Sequence, residues 1–325
     1  MKALVRTRYG LSEVLEVMDV EKPVPADNEV LVKVRASSIN AADWYEMAGK
    51  PLIGRTQMGM MKPKSKRLGV DFAGTVEAVG KDVLDFKPGD EVFGGRNGAL
   101  AEYVCVRNAV VLKPANVTFE EAAAVPVAAI TALQGLRDKG NLQPGQKVLV
   151  YGASGGVGTY TVQIAKALGA EEVTAVCSTD KVEVARSIGA DHVIDYTRED
   201  FTKSNRRYDL MANVSGGRPW AECKRVLTPE GTLVILGAPK AGGPLGPLGY
   251  VIRVRLASLL SKQKVIFFIA QFNRPDMKIL ADMLESGKIK SVIDRRFALS
   301  ESAAAFAYFG EGHARGKVVI EVSKG

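Results

Sequence analysis

Cysteine and histidine, which staple small domains and hold most structural zinc ions, are scarce in this 325-residue sequence. The three cysteines, Cys105, Cys177 and Cys223, are far apart and odd in number, which argues against a disulfide framework and a paired-cysteine metal motif. The two histidines, His192 and His313, are also far apart. We therefore expect a reducing, cytoplasmic location and no bound metal.

Long apolar runs are missing as well. The longest run, residues 122–133, contains Pro126 and falls well short of the roughly 18–20 residues that span a bilayer. Near the start of the chain, Arg6 and Arg8 interrupt the apolar run that a secretory signal would need. The sequence thus predicts no transmembrane helix and no export by the usual signal.

Acidic residues are outnumbered, with 36 Asp and Glu against 44 Lys and Arg, for a net charge of +8. This excess favours anionic ligands but falls short of a nucleic-acid signature. Basic clusters lie at residues 62–67 and at Arg206-Arg207, and no aromatic-rich motif accompanies them. We expect no nucleic-acid partner. The apolar content of 46% is that of a folded protein, and the length suggests two domains.

Two kinds of hydrophobic pattern divide the chain. Up to about residue 116, short alternating runs separated by turn residues predict a β-rich first domain. From residue 147, apolar strands alternate with helical patterns, which predicts an α/β fold with a Rossmann-type, doubly wound parallel sheet. We expect the alternating segment 317–322 to return to the first domain. The predicted boundaries are 1–118 for the β-rich part, 119–271 for the cofactor domain and 272–325 for the return.

Individual elements follow from the same patterns. The predicted strands of the parallel sheet are 147–151, 173–177, 192–194, 210–214, 232–236 and 265–269. The predicted helices are 157–168, 181–188, 276–286 and one that runs from its N-cap, Thr118, through Leu136. Lys87-Pro88-Gly89-Asp90 predicts a tight turn, and the loop at 240–250 is either a lid or a plain connector.

The strongest local signal is a glycine-rich turn between a predicted strand and a predicted helix. Gly155 would let the backbone approach a pyrophosphate, and Gly158 would let the helix pack closely on the strand. The first N–H groups of the helix would face the anion. The turn residues expected to bind a dinucleotide are Ala153, Ser154, Gly155, Gly156, Val157 and Gly158.

The choice of cofactor is expected at the end of the second strand, which continues Ser178-Thr179-Asp180-Lys181. An acidic residue there would bind the ribose 2′-hydroxyl of NAD and repel a 2′-phosphate. Ser178 and Thr179 can donate hydrogen bonds and Lys181 can supply positive charge, so NADPH is favoured. Asp180 leaves NAD open as the alternative.

Over nearly its full length the chain resembles the medium-chain dehydrogenase/reductase superfamily, in its zinc-free quinone oxidoreductase branch. It is most similar to the plant chloroplast-envelope homologues and their bacterial relatives. The motifs that carry this resemblance are Ser38-Ile39-Asn40-Ala41-Ala42-Asp43-Trp44, Gly69-Val70-Asp71-Phe72-Ala73-Gly74, Ala122-Ala123-Ala124-Val125-Pro126, Thr131-Ala132-Leu133, the glycine-rich turn and His313-Ala314-Arg315-Gly316-Lys317.

The resemblance implies a GroES-like β-domain, a Rossmann domain with a cleft between the two, and NADPH-dependent reduction of quinones or α,β-unsaturated carbonyls. Zinc alcohol dehydrogenases carry a Gly-His-Glu motif where this sequence has Gly69-Val70-Asp71. The aliphatic side chain of Val70 cannot bind a metal, so no catalytic zinc is expected.

The resemblance also implies which residues handle the acceptor. Asn40 would orient the carbonyl or the cofactor ribose, and Tyr45 would donate a proton to the α-carbon unless water does so. Asp43 would also lie near the nicotinamide and the acceptor. A buried amide that ties loops together is the alternative for Asn40, and a turn or helix cap is the alternative for Asp43. Lys317 would either reach the cleft or be a solvated strand lysine, and the solvated position is favoured. The other expected site residues are Thr131, Tyr196, Gly237 and Phe268 at the cofactor and Phe267 at the substrate.

Other functions stay open beside this one. A 2-enoyl-thioester reductase would use the same scaffold, and an NADPH- or RNA-binding protein would keep the fold without turnover. Residues 250–264 alternate basic and aliphatic side chains, which suits a helix packed on its sheet or a peripheral membrane contact. The apolar strand 265–269 is expected to be an edge strand that pairs with its copy in a homodimer.

Overall fold

The computed structural model describes residues 1–237 and 246–323, which form two compact units. The first unit comprises Met1–Ile130, Gln271–Gly287 and Ser291–Gly325, and the second comprises Thr131–Ala270 and Lys288–Lys290. The first unit is therefore discontinuous in sequence, because the chain leaves it to form the second and then returns.

A mostly antiparallel sheet forms the first unit. In spatial order the strands of this sheet are Ile293–Ala298, Lys317–Glu321, Val30–Ile39, Asp71–Val79, Glu91–Gly95 and Val110–Leu112, with Tyr103–Val106 also pairing with Val30–Ile39. Lys2–Arg6 and Leu15–Asp19 pair with each other in a separate two-stranded sheet. The helices of this unit are Ala41–Ala48, Arg55–Met58, Phe119–Ala123, Arg274–Glu285 and Ser302–Glu311, together with the start of Pro126–Leu133.

The terminal strand Lys317–Glu321 lies inside this sheet, as its alternating pattern predicted. It runs parallel to Ile293–Ala298 and antiparallel to Val30–Ile39, with Val318 opposite Ile39. Val318, Val319 and Ile320 are fully buried. The burial of these consecutive apolar residues holds this strand in the core.

The helix predicted from Thr118 through Leu136 is divided. Thr118 caps its start as predicted, because its hydroxyl accepts the N–H of Glu121 and the Glu121 carboxylate accepts the N–H of Thr118. The first helix ends at Ala123, and the next begins at Pro126, where a missing N–H is tolerated in the first turn. A π-helical segment, Gln134–Lys139, then follows.

A six-stranded, fully parallel sheet forms the second unit. In spatial order its strands are His192–Asp195, Glu172–Cys177, Lys147–Tyr151, Tyr208–Asn213, Leu227–Ile235 and Lys264–Phe267. Counted along the chain this is the order 3-2-1-4-5-6 of a Rossmann fold, which confirms the predicted fold class. The helices of this unit are Gly156–Ala167, Val182–Ser187, Trp220–Arg225 and Gly246–Ala257, together with the end of Pro126–Leu133.

The helix Gly246–Ala257 packs on the sheet, as one of the two interpretations of residues 250–264 predicted. Tyr250, Val251 and Val254 are buried in the hydrophobic core of the second unit. The opposite face exposes Ile252 and Leu256. None of the helices in the described part of the chain is long and apolar enough to cross a membrane.

The last strand of the parallel sheet is an edge strand, as predicted, but its bounds differ from the predicted 265–269. It runs from Lys264 to Phe267, and Phe268 and Ile269 lie beyond its end. Pairing with Leu227–Ile235 stops at Phe267, because its partner Ile235 is the last residue of that strand. A continuous apolar run does not show where pairing stops, since that depends on the neighbouring strand.

Candidate functional site

The glycine-rich turn connects the first parallel strand to the helix Gly156–Ala167. Gly152 has φ +90°, a conformation that favours glycine, and a Cβ there would lie 2.2 Å from the Ser215 hydroxyl oxygen. A Cβ on Gly158 would lie 2.0 Å from the carbonyl oxygen of Gly152. The close packing of helix on strand therefore requires glycine at position 158, as predicted.

Gly155, in contrast to Gly158, has room for a side chain. A Cβ on Gly155 would meet only the Gly152 carbonyl oxygen, at 3.8 Å, so this glycine leaves open space beside the backbone. It is also the N-cap of the helix, and no side chain caps that helix start. An uncapped helix N-terminus with open space beside it suits an anionic group such as a pyrophosphate. The residues of the turn therefore fit a dinucleotide.

The polar residues after the second strand are arranged around two carboxylates. The Ser178 hydroxyl donates to the Asp180 carboxylate at 2.6 Å, so this acidic side chain already has a partner on the protein. The Thr179 hydroxyl donates to Asp195, and this hydrogen bond lowers the pKa of Asp195. Lys181 is half-buried and forms no ion pair with any described residue, so its charge remains available to a phosphate.

Asp195 is a neighbour that the sequence analysis missed. It ends the third strand, which lies beside the second in the parallel sheet. The next residue, Tyr196, is exposed, and its backbone N–H donates to the carbonyl of Cys177 at 3.0 Å. Strand order alone could have found this contact, because adjacent parallel strands end at the same edge. The structure thus brings Ser178, Thr179 and Tyr196 together.

Three further predicted residues lie at the ends of the last two strands of the second unit or just beyond them. Gly237 comes after Leu227–Ile235, and a Cβ there would lie 2.0 Å from the Val214 carbonyl oxygen. Phe267 ends the edge strand, and the ring of Phe268 lies 5.9 Å from the Lys139 ammonium. Carboxyl ends of parallel strands are where this fold binds ligands. Thr131 lies in the helix Pro126–Leu133 and is half-buried.

In the first unit, Asn40 lies directly before the helix Ala41–Ala48 and is 6% exposed. Its side-chain Nδ2 donates to the Asp71 carboxylate at 2.7 Å, and its Oδ1 accepts from the Lys317 ammonium. Its backbone N–H donates to Asp43 at 2.8 Å, which confirms the helix-cap alternative for Asp43. Asn40 therefore ties three segments together, as its alternative interpretation predicted.

Asp71 is the centre of this cluster, and the sequence analysis missed that role. One carboxylate oxygen accepts from Asn40 and from the Ser38 hydroxyl at 2.7 Å, and Lys317 lies 3.3 Å away. The other oxygen accepts the N–H of Val127 at 2.9 Å, at the start of the helix Pro126–Leu133. An acidic residue in the otherwise apolar stretch Val70-Asp71-Phe72-Ala73 was the available signal, since buried charges are normally paired.

The prediction of a solvated Lys317 is wrong. This residue is 2% exposed, and its ammonium group bonds to Asn40, Asp71 and the carbonyl of Ile39. Lys317 is the first residue of a strand whose next three residues are buried in the sheet, and its side chain is held there by a matching carboxylate. Burial of an ammonium group is tolerated because Asp71 compensates its charge.

Two other polar atoms of the helix Ala41–Ala48 are buried without a hydrogen-bond partner among the described residues. They are Asp43 Oδ1 and the Tyr45 hydroxyl. Burial, reinforced by the charge of Asp71, raises the pKa of Asp43 to about 7. Burial also raises the pKa of Tyr45, so its hydroxyl stays protonated at neutral pH.

No group of three or more His, Cys, Asp or Glu side chains in residues 1–237 and 246–323 is arranged to hold a metal ion. The cysteines are also unpaired, and Cys177 and Cys223 are buried. Burial raises the pKa of the Cys177 thiol to about 11 and that of Cys223 to about 12, so both stay protonated.

Comparison with known proteins agrees with this geometry. Residues 26–116 match the family described as the alcohol dehydrogenase GroES-like domain, and residues 188–320 match the zinc-binding dehydrogenase family. The chain is 33% identical to a chloroplastic quinone oxidoreductase of Triphysaria versicolor, over 99% of this chain and 98% of that protein.

Two further comparisons extend this result. The chain is 34% identical to a chloroplastic NADPH-dependent alkenal/one oxidoreductase of Arabidopsis thaliana, over 98% of this chain and 79% of that protein. The quinone oxidoreductase structure from Coxiella burnetii superposes with a TM-score of 0.86 at 28% identity, covering 99% of each chain. The chain belongs to the medium-chain dehydrogenase/reductase superfamily, among the quinone oxidoreductase homologues, as its motifs predicted.

Proposed function

We propose that the chain is an NADPH-dependent oxidoreductase that reduces quinones or the C=C bond of α,β-unsaturated carbonyl compounds. One observation carries this proposal: the glycine-rich turn opens onto an uncapped helix N-terminus, in a chain related over its length to an NADPH-dependent alkenal/one oxidoreductase. The aliphatic side chain of Val70 cannot bind a metal, and no group of three or more His, Cys, Asp or Glu side chains among the described residues is arranged to hold one. Both observations support a reaction without zinc.

The second unit would hold the cofactor, which supplies a hydride when bound. The turn residues Ala153–Gly158 would bind the pyrophosphate through the helix N-terminus and the open space at Gly155. Lys181 would supply positive charge to the 2′-phosphate, and Ser178 and Thr179 would bind it once their hydroxyls turn away from the Asp180 and Asp195 carboxylates. The other proposed cofactor contacts are Thr131, Tyr196, Gly237 and Phe268, with Phe267 at the substrate.

Two residues of the first unit would act on the acceptor. The Tyr45 hydroxyl keeps its proton at neutral pH and has no hydrogen-bond partner among the described residues, so it can donate to the α-carbon of the reduced acceptor. Water is the other source for that proton. Asn40 would hydrogen-bond the acceptor oxygen. A conjugated acceptor suits such a site, because the negative charge that develops on its oxygen needs only hydrogen bonds for stabilisation.

The test is NADPH oxidation by the purified protein with a panel of quinones, short and long enones and one enoyl thioester. Turnover of a quinone or an enone supports the proposal. Turnover of the enoyl thioester alone would make the chain a thioester reductase. Tight NADPH binding without any turnover would favour a binding protein, and RNA affinity that falls steeply with salt would mark an RNA-binding role.

Cofactor choice is tested with Lys181→Ala beside a matched control, Lys203→Ala, which removes an exposed lysine of the same unit that forms no ion pair with a described residue. We expect Lys181→Ala to raise the KM for NADPH about tenfold and to leave that for NADH unchanged, because only NADPH carries the 2′-phosphate. Equal changes for both cofactors, or the same effect in the control, would contradict the role of Lys181.

The remaining proposals concern organisation and location. The proposed domain boundaries are 1–118 for the β-rich part, 119–271 for the cofactor domain and 272–325 for the return. Among the described residues Lys264–Phe267 is the last strand on one side of the parallel sheet, and Ile269 beyond it is 79% exposed, which supports a homodimer formed by pairing with a second copy. The three unpaired thiols support a reducing compartment such as the cytoplasm.

A further inference from the structure

The side-chain amide of Asn40 is held between two opposite charges. The ammonium group of Lys317 faces Oδ1, and the carboxylate of Asp71 faces Nδ2 at 2.7 Å. An ammonium group can only donate and a carboxylate can only accept, so each charge selects one end of the amide. Rotation of the amide by half a turn would set donor against donor and acceptor against acceptor. Asn40 therefore has one orientation.

This orientation leaves one hydrogen-bonding group unused. The amide nitrogen carries two N–H bonds, and Asp71 accepts only one of them. The second N–H has no acceptor among the described residues, and Asn40 as a whole residue is 6% exposed. The site thus presents a donor at this point. A ligand atom there must be an acceptor, such as a carbonyl oxygen.

The charge of Lys317 also strengthens that donor. A hydrogen bond from Lys317 to Oδ1 draws electron density from the amide nitrogen, which makes the remaining N–H more positive. The cluster is rigid, because Asp71 is held by the Ser38 hydroxyl and by the N–H of Val127 as well. A donor that is already oriented before charge develops is the arrangement that stabilises an oxyanion.

We propose that Lys317 and Asp71 are positioning residues that lock the amide of Asn40 as a hydrogen-bond donor to the acceptor oxygen. This inference rests on the proposed function. When hydride reaches the β-carbon of an enone, the π electron pair moves to the carbonyl oxygen, and the α-carbon later takes a proton. The locked N–H of Asn40 stabilises the negative oxygen during that interval. Lys317 and Asp71 do not touch the substrate.

The test compares Lys317→Met, Lys317→Arg and Asn40→Asp with a matched control, Lys113→Met. Lys113 is also a lysine of the first unit with a buried side chain, 5% exposed and paired with Glu91, but it does not contact Asn40. Three quantities are measured for each variant: kcat with one quinone and one enone, the Kd of NADPH, and the thermal midpoint. The last two report whether the fold and the cofactor site survive.

We expect Lys317→Met and Asn40→Asp to lower kcat by about 100-fold, the usual loss when one oxyanion donor is removed, with the Kd of NADPH changed less than about twofold. Lys317→Arg should recover part of the loss, because a guanidinium group also donates to Oδ1. Asn40→Asp removes both N–H bonds and sets a second carboxylate against Asp71, so it should lower the thermal midpoint whether Asn40 is a donor or only a structural residue. The comparison of Lys317→Met with Lys113→Met therefore separates the two roles. Lys113→Met should keep the wild-type kcat.

Two outcomes would overturn the inference alone. One is a wild-type kcat in Lys317→Met, and the other is an equal loss in Lys317→Met and Lys113→Met that follows the thermal midpoint, which would mark a purely structural lysine. Wild-type protein that reduces no quinone or enone would overturn the proposed function first, and the inference with it. The two failures are therefore distinguishable.

Discussion

At the scale of single residues, the unusual feature of this protein is a set of charged side chains buried in the first unit. Two buried carboxyl groups, Asp43 and Asp71, lie in the same region as the ammonium group of Lys317, which pairs with Asp71 alone. Asp71 lies directly beside Lys317, whereas Asp43 has only the N–H of Asn40 and an unpartnered oxygen. Asp43 is therefore the group that holds a proton near neutral pH.

This arrangement makes a prediction about pH and stability. The native pKa of Asp43 is about 7, against an ordinary value of 3.8. Between pH 3.8 and pH 7 the native state therefore binds a proton that the unfolded state has released. The stabilisation that Asp43 contributes is fully present below about pH 4 and is lost as pH rises through 7. Asp43→Asn keeps the acceptor for the N–H of Asn40 but cannot ionise.

We expect Asp43→Asn to be about as stable as wild type at pH 5 and more stable at pH 8, by on the order of 3 kcal/mol. Urea unfolding at both pH values measures the difference. Carboxylates with a lowered pKa, such as Asp85 and Asp191, also make stability depend on pH. Their contributions are the same in both proteins and cancel in the difference from wild type. A free-energy difference that is independent of pH would show that Asp43 does not titrate in this range.

The two glycines of the turn allow a second prediction. Gly155→Ala adds a methyl group in open space at an ordinary φ of −82°, whereas Gly158→Ala places it 2.0 Å from a backbone oxygen. We expect Gly155→Ala to keep the thermal midpoint and to weaken NADPH binding at least tenfold, because the methyl group would occupy the space of the pyrophosphate. Gly158→Ala should lower the thermal midpoint itself.

Thermal unfolding and NADPH titration of both variants separate the two roles. Unchanged NADPH affinity in Gly155→Ala would place the pyrophosphate elsewhere. A stable Gly158→Ala would mean that helix and strand can move apart at little cost, which the 2.0 Å approach argues against.

At the scale of elements, the ends of strands carry proposed binding residues, and the edge of the parallel sheet carries the proposed association surface. The parallel strands of the second unit carry most of the proposed cofactor residues at their carboxyl ends, while Lys264–Phe267 is an edge strand among the described residues, and the Arg255 side chain bonds the carbonyl of Val265 there. Exposed apolar side chains lie near it in sequence, including Leu259 and Ile269. An apolar open edge favours association, and a second copy offers an identical edge.

We therefore expect the protein to be a homodimer and Ile269→Lys to shift it toward the monomer, because the added charge would have to be buried in the interface. Light scattering after size-exclusion chromatography measures the mass. The matched control is Leu84→Lys, which changes a 92% exposed leucine of the first unit. A monomeric wild type, or a dimer that withstands Ile269→Lys, would contradict pairing through this edge.

At the scale of the whole molecule, the proposed cofactor residues all belong to the second unit, whereas Asn40 and Tyr45 belong to the first. A ligand that binds only the folded second unit stabilises it by mass action. At 100 times its Kd, NADPH should add about 2.7 kcal/mol to the free energy of unfolding of that unit. NADH at the same concentration should add less.

Differential scanning calorimetry with and without each nucleotide measures this effect. The expected result is a shift of the transition that belongs to the second unit, larger for NADPH than for NADH. No shift with either nucleotide would argue against a dinucleotide site, and a larger shift with NADH would reverse the assignment of the cofactor made from Ser178 and Lys181.

Local sequence patterns determined a large part of this protein. The alternation of apolar strands and helices predicted the Rossmann sheet, the capping residues at Thr118 predicted a helix start, and the turn around Gly155 and Gly158 predicted a phosphate-binding geometry. These features could be read from sequence because each depends on residues within a few positions of one another.

Only the tertiary structure decided the polar cluster of the first unit and the end of the edge strand. Asn40, Asp71 and Lys317 lie on three strand ends that are 31 and 246 residues apart along the chain, and nothing local shows that they meet. In isolation Lys317 resembles any solvated lysine, and the apolar run 265–269 resembles a strand that continues to Ile269, beyond the observed end at Phe267. Burial, charge pairing and the length of a neighbouring strand are set by contacts across the fold, which a local pattern does not contain.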